Sequence, residues 1–133
     1  QTGNSARQES KKFSILIIDD EPDILSIFKR SLEIAGHSTY GFVNPTAALA
    51  HFKENPTQYR VVVSDVRMPG MSGFELAREI RKLNPDVKIV LTSSFEISMK
   101  EFKTVMPSLN IDGILEKPVT FDKLHDIIKD VAK

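Results

Sequence analysis

Val61-Val62-Val63-Ser64-Asp65-Val66-Arg67-Met68-Pro69-Gly70 is the stretch on which the reading of this chain turns. Three β-branched residues in succession describe a strand buried on both faces, and the run stops at a carboxylate followed by Pro and Gly, which break strands. Asp65 is therefore expected at the carboxyl end of a central strand, the edge at which open parallel α/β sheets bind ligands. Two further apolar runs end the same way. Ile15-Leu16-Ile17-Ile18 runs into Asp19-Asp20-Glu21, and Ile89-Val90-Leu91 runs into Thr92-Ser93-Ser94. If the three strands lie parallel and adjacent, Asp19, Asp20, Asp65 and Thr92 converge on one cleft.

Outward from these runs, strands alternate with amphipathic segments. Phe13 to Ile18 reads as the first strand. Pro22 opens a helix in which Ile24, Ile27, Phe28, Leu32 and Ala35 recur at helical spacing up to Gly36. His37 to Val43 is a weaker strand nearer an edge, and Asn44-Pro45 caps a short helix through Ala47, Ala48, Leu49 and Phe52. Ser72 with Glu75 three residues on is a capping box. Phe74, Leu76, Ala77, Ile80 and Leu83 supply the buried stripe of the helix it starts. Val87 to Leu91 is the fourth strand, and Phe95 to Met106 a helix ended by Pro107. Ile111 to Leu115 is the fifth strand, and Thr120 caps a last helix carrying Phe121, Leu124, Ile128 and Val131 on one face. Five strand-helix pairs with short connections predict an α/β fold, a flavodoxin-like doubly wound (βα)5 domain whose five-stranded parallel sheet has the order 2-1-3-4-5. Residues 13–133 form this domain. Residues 1–12, polar and without a period, read as a flexible tail or linker.

Composition narrows the function classes. In 133 residues, Lys plus Arg and Asp plus Glu stand at 18 each, so net charge does not favour nucleic acid or an acidic membrane surface. Without cysteine the chain has no disulfide or thiolate metal site. The apolar runs are of strand length and the polar N-terminus is unlike a signal peptide, which together predict a soluble, cytoplasmic protein with no membrane segment. His37, His51 and His125 are too scattered in the sequence to read as one metal site.

Asp19, Asp20 and Asp65 facing one another would repel strongly at neutral pH. A hard divalent cation resolves that, and Mg²⁺ takes one or two carboxylates, waters and substrate phosphate oxygens. Lys117, after the fifth strand and before Pro118, can reach the same cleft to pair with Asp65 or a phosphoryl oxygen. Taken singly, each residue has a plainer use: Asp19 and Asp20 as a solvated turn favouring a helix dipole, Lys117 as a loop cation, Thr92 as a strand-end hydroxyl. Their placement at the ends of different strands of one sheet is what argues for a shared site.

Asp19-Asp20-Glu21-Pro22, then Ser64-Asp65-Val66-Arg67-Met68-Pro69-Gly70-Met71-Ser72-Gly73, then Leu91-Thr92-Ser93, then Glu116-Lys117-Pro118 closely resembles the receiver domain of two-component response regulators, of the chemotaxis type. The resemblance covers Phe13 to Lys133. It implies that Asp65 accepts a phosphoryl group from a sensor histidine kinase or a histidine phosphotransfer protein. It also implies that Asp19, Asp20, Asp65 and the backbone carbonyl of Arg67 hold Mg²⁺, that Lys117 contacts a phosphoryl oxygen, and that Thr92 moves to hydrogen-bond the attached group. The implied partners are that phosphodonor and a downstream protein target or fused output domain, with a homodimer possible and no nucleic acid bound by this domain. Such a domain is a signalling switch acting only on itself, not an enzyme.

The sequence departs from the pattern at Ile114, three residues before Lys117, where receivers often carry Tyr or Phe that swings inward as the threonine moves. Arg67 and Ser94 occupy positions that in the family border the path of the hydrolytic water. Two other functions compete: a receiver-shaped interaction module that no longer switches, and an aspartate-nucleophile Mg²⁺ phosphatase. The second is disfavoured by adjacent Asp19-Asp20 with a distant Asp65, where that class uses Asp-x-Asp on its first strand.

Overall fold

The computed structural model describes residues 12–94, 103–104 and 108–133. In chain order these form β1 (Ser14–Ile18), α1 (Pro22–Ile34), β2 (Ser38–Phe42), α2 (Pro45–Glu54), β3 (Val61–Asp65), α3 (Gly73–Leu83), β4 (Lys88–Ser93), β5 (Gly113–Glu116) and α4 (Phe121–Val131). All adjacent strands pair in parallel in one sheet of order β2-β1-β3-β4-β5. The expected helix from Phe95 to Met106 lies outside the described residues, apart from Lys103 and Thr104, which are helical.

Strand side chains alternate between the two faces, so an unbroken apolar strand feeds two cores at once. Leu16, Ile18, Val62, Ile89 and Leu91 pack on one side with Phe52, Leu76 and Ile80 of α2 and α3. Ile15, Ile17, Val61, Val63 and Val90 pack on the other with Phe28, Leu32, Leu124 and Ile128 of α1 and α4. Every residue of β3 is buried.

Local signals account for most helix ends. The Asn44 carboxamide oxygen accepts from the Thr46 and Ala47 amides at 2.8 and 3.1 Å, leaving Pro45 at the first helical position. Ser72 and Glu75 form the reciprocal capping box, each bond 3.1 Å. α1 stops where Gly36 takes a φ of 100°, a value that L side chains rarely adopt, and the Lys12 ammonium donates to the Ala35 carbonyl at 3.0 Å. The Lys12 side chain thus reaches the end of α1.

Several expectations are corrected in detail. β4 continues to Ser93, two residues past Leu91, because Asp65 and Ser64 of β3 offer Thr92 and Leu91 partners in register. β5 begins at Gly113 rather than Ile111. Ahead of it the Asp112 amide donates to the Ile89 carbonyl and the Asp112 carboxylate accepts the Ile89 amide, each at 2.8 Å, so a side chain replaces one backbone acceptor of the ladder. Ile27, Leu83 and Phe121, expected within buried stripes, are exposed: helical period puts them on the apolar arc, but they lie at its margin or at a helix end, beyond the sheet. His51 stacks on Tyr40 and hydrogen-bonds the Tyr59 hydroxyl.

Candidate functional site

The strand order brings the ends of β1, β3, β4 and β5 side by side. Asp19 follows β1, Asp65 is the last residue of β3, Thr92 is its register partner on β4, and Lys117 follows β5. All lie at the carboxyl edge of the sheet.

Each side chain is placed by backbone bonds around it. The Asp19 amide donates to the Phe42 carbonyl at 3.1 Å, tying the residue to β2. Its Oδ1 accepts the Glu21 amide at 2.9 Å, which leaves Oδ2 for Lys117. Val66, just past Asp65, donates its amide to the Thr92 carbonyl at 2.9 Å and accepts the Gly73 amide at 2.7 Å. Lys117 donates its amide to the Ser93 carbonyl at 2.7 Å, and its peptide bond to Pro118 is cis. A glycine is required at position 73: a Cβ there would collide with the Asp65 carbonyl oxygen and stand 2.9 Å from the Val66 Cα. That requirement is tertiary, and the sequence showed Gly73 only as the residue after a helix cap.

Asp19, Asp20 and Asp65 come together, each offering a carboxylate oxygen within 4.8 Å of the others. Asp19 and Asp65 are buried and Asp20 is half-buried. Lys117 Nζ lies 3.2 Å from Asp19 Oδ2, 3.2 Å from Asp65 Oδ2 and 3.9 Å from Glu21 Oε1. Sequence reasoning had Lys117 meeting Asp65; the bond to Asp19 and the approach of Glu21 are additions made by the fold. The Arg67 backbone amide hydrogen-bonds the Asp65 carboxylate. A cleft of about 490 Å³ opens over the group, its rim including Asp20, Arg67, Met68 and Ser94.

Burial raises the Asp65 pKa above its ordinary value. The Lys117 charge and hydrogen bond oppose that, the Asp19 charge reinforces it, and the Arg67 amide opposes it again. At Lys117 burial works against the ammonium, but the charges of Asp19 and Asp65 and their hydrogen bonds outweigh it, so its pKa is raised. One ammonium thus faces several carboxylates in a cleft that shields them poorly from one another. The donor set is all oxygen, clustered and acidic, which fits a hard divalent cation such as Mg²⁺.

The family model of the response regulator receiver domain matches residues 15–129. The chain belongs to this family. It is a receiver domain of two-component signal transduction. The response regulator receiver protein CpdR of Brucella abortus (strain 2308) is 33% identical over 126 residues, covering 90% of this chain and 93% of that protein. The sensor protein EvgS of Escherichia coli (strain K12) is 35% identical over 86% of this receiver, which corresponds to 9% of EvgS. The C4-dicarboxylate transport transcriptional regulatory protein DctD of Rhizobium meliloti (strain 1021) is 38% identical over 60% of the chain and 17% of its own length. Among solved structures, the response regulator TrrA of Thermotoga maritima, in complex with Mg(2+)-BeF, superposes with a TM-score of 0.76 at 33% identity, covering 89% of this chain and 97% of that one. A receiver domain protein from Clostridium thermocellum gives 0.79 at 31% identity, covering 90% and 93%. The receiver therefore spans nearly the whole of some relatives and less than a fifth of others, in which it is one part of a regulator or sensor kinase.

Proposed function

We propose that this receiver takes a phosphoryl group onto Asp65 from a phosphohistidine of a sensor histidine kinase or histidine phosphotransfer protein. The observation that carries the reading is the meeting of Asp19, Asp20 and Asp65 around one point with Lys117 Nζ 3.2 Å from two of them. In the transfer a carboxylate oxygen of Asp65 attacks phosphorus and the P–N bond breaks. Its electron pair leaves with the imidazole nitrogen, which takes up a proton, and an acyl phosphate forms on Asp65. Asp19 and Asp20 would hold Mg²⁺, directly or through water, with the Asp65 carboxylate and the Arg67 backbone carbonyl completing the protein ligands. Bound there, Mg²⁺ offsets negative charge on the phosphoryl group. Lys117 exchanges its bond to Asp65 for one to a phosphoryl oxygen while keeping Asp19. Thr92, across from Asp65 in the register, moves to hydrogen-bond the attached group, and that movement reaches the output surface through β4 and β5.

The receiver domain runs over residues 13–133, with residues 1–12 as a preceding tail or linker. It works in the cytoplasm as a switch that catalyses nothing beyond its own phosphorylation and dephosphorylation, and passes the signal to a downstream target or fused output domain. Among the described residues, no helix is long and apolar enough to cross a membrane.

Incubation with acetyl phosphate and Mg²⁺, followed by intact mass measurement, tests the assignment. The expected result is a single phosphate increment that vanishes with EDTA and in Asp65→Asn. One observation favours a second reading, a module that binds partners without switching: Ile114, half-buried against the α2–α3 core, stands where an aromatic rotamer would respond. No increment in a folded chain that binds Mg²⁺ would select that second reading.

A further inference from the structure

The corner where the chain enters the sheet carries a titratable group that the receiver site does not use. β1 and β2 run parallel, so both begin at the edge of the sheet opposite Asp19 and Asp65. There the Phe13 amide donates to His37 Nδ1 at 3.0 Å, and the Phe13 carbonyl accepts the Ser38 amide at 2.9 Å. The Phe13 ring stacks on the His37 ring, with centroids 5.3 Å apart and planes inclined by 9°. His37 is held in turn by α1, its amide donating to the Leu32 carbonyl at 3.0 Å. We propose that His37 is an acid-released latch on the chain entering β1, which fastens Lys12 and Phe13 while its ring is neutral and lets them go when the ring is protonated.

The hydrogen bond fixes the charge state. Nδ1 accepts from an amide only with its lone pair free, in the neutral ring with the proton on Nε2. Protonation places a hydrogen on Nδ1, which then meets the Phe13 N–H donor to donor, and the amide loses its partner in a half-buried corner. The stack pulls the other way, because the face of Phe13 attracts a charged ring, but that attraction is weaker than the loss of a shielded hydrogen bond.

The surroundings act in the same direction as the bond. Burial lowers the His37 pKa below its ordinary 6.5, and the charges of His125 and Lys12 lower it further. His125 comes from α4, its Nε2 3.0 Å from Ser31 Oγ, and Lys12 from the segment before β1, its Nζ on the Ala35 carbonyl. Glu33, in the last turn of α1, is engaged by Lys29 and Thr39. The fastened state is therefore fully favoured above pH 6.5 and is lost progressively as pH falls from there to the lowered value of the docked ring. Residues 1–11 join the domain through Lys12 and Phe13, so the latch governs how closely the polypeptide ahead of the sheet is tied to it.

Amide hydrogen exchange of the full chain, followed by NMR between about pH 8 and 5, tests the latch, each rate being divided by that of an unprotected amide at the same pH. Protection of Phe13 is expected to fall by up to about tenfold per pH unit below 6.5, while that of Val63 in the core stays constant. The His37 ring should show its proton on Nε2 and titrate below 6.5. In His37→Asn the carboxamide oxygen offers an acceptor near the place of Nδ1 that takes up no proton, and Phe13 should stay protected across the range. His37→Phe keeps the stack without the acceptor and should lose the protection at every pH. A Phe13 protection that does not change with pH would overturn the inference, as would a proton on Nδ1 at neutral pH. So would an acid response that survives in His37→Asn or disappears in His125→Gln, since either result assigns it to another group.

Discussion

Asp65 is held where a carboxylate is costly, 5% exposed and beside Asp19, with one ammonium to answer both. Its folded-state pKa is raised above the ordinary 3.8, so the folded chain keeps this proton at a pH where the unfolded chain has released it. Stability in the absence of metal consequently falls as pH rises from 3.8 to the raised value, and the full penalty persists above that window. Asp65→Asn removes the charge. Thermal unfolding with EDTA should show the variant melting a few degrees higher than the native chain at neutral pH, with the difference vanishing as pH falls below 3.8; equal melting at neutral pH would contradict the role given to burial. Lys117 has the opposite sign. Its raised pKa means that its contribution is fully present below the ordinary 10.5 and is lost only as pH rises through the higher folded value. Lys117→Met leaves Asp19 and Asp65 uncompensated and is expected to cost about 3 kcal/mol without metal, the scale for breaking a buried pair by removing one partner. Denaturant unfolding with and without Mg²⁺ checks this, because a cation in the cleft should return part of the loss.

At the scale of elements, the junction from β3 into α3 sets the geometry of the site. The Gly73 amide bonds the Val66 carbonyl, and its missing side chain lets the start of α3 press against the Asp65 backbone. Gly73→Ala must push that helix start away, at an expected cost of about 1–3 kcal/mol. It should also reduce acetyl phosphate labelling by displacing Asp65. Ser72→Ala removes only the cap, for about 1 kcal/mol, and should leave labelling nearly intact. Comparison of the two variants by denaturant unfolding and intact mass separates packing against the site from helix capping one residue away. The extension of β4 to Ser93 matters in the same way. It pairs Thr92 with Asp65 in the ladder and presents the Ser93 carbonyl to the Lys117 amide, so three site residues at the ends of β3, β4 and β5 are coupled through backbone bonds.

For the whole molecule, the parallel sheet is covered on both faces, and the buried carboxylates of the described residues, Asp19 and Asp65, lie at its carboxyl edge. A cation that binds only the folded arrangement adds its binding free energy to stability. Mg²⁺ at about a hundred times its dissociation constant is expected to add ~2.7 kcal/mol. For a domain of this size that is a rise of roughly 10 °C in melting temperature. The increase should be absent with EDTA and much reduced in Asp20→Ala, which removes the most accessible carboxylate of the cluster without emptying the core. Calorimetry with and without Mg²⁺ decides it, and a native chain indifferent to Mg²⁺ would remove the basis for the metal site.

Among the described residues, the order of strands and helices, the buried character of β3, the caps at Asn44 and Ser72 and the four polar strand ends were all legible in the sequence, because each depends on residues near one another in the chain. Apolar period, β-branching and cap chemistry are local properties. The matching residues at the strand ends were also sufficient to show the resemblance to receivers. What the tertiary structure alone decided has a different range. Lys117 divides its charge between Asp19 and Asp65, 98 and 52 residues away in sequence. Gly73 is required by the backbone of another element. Ile27 and Phe121 carry the apolar period of a buried stripe yet stand exposed over a groove, since period defines a face of a helix and only the packed neighbour determines how wide a part of that face is covered.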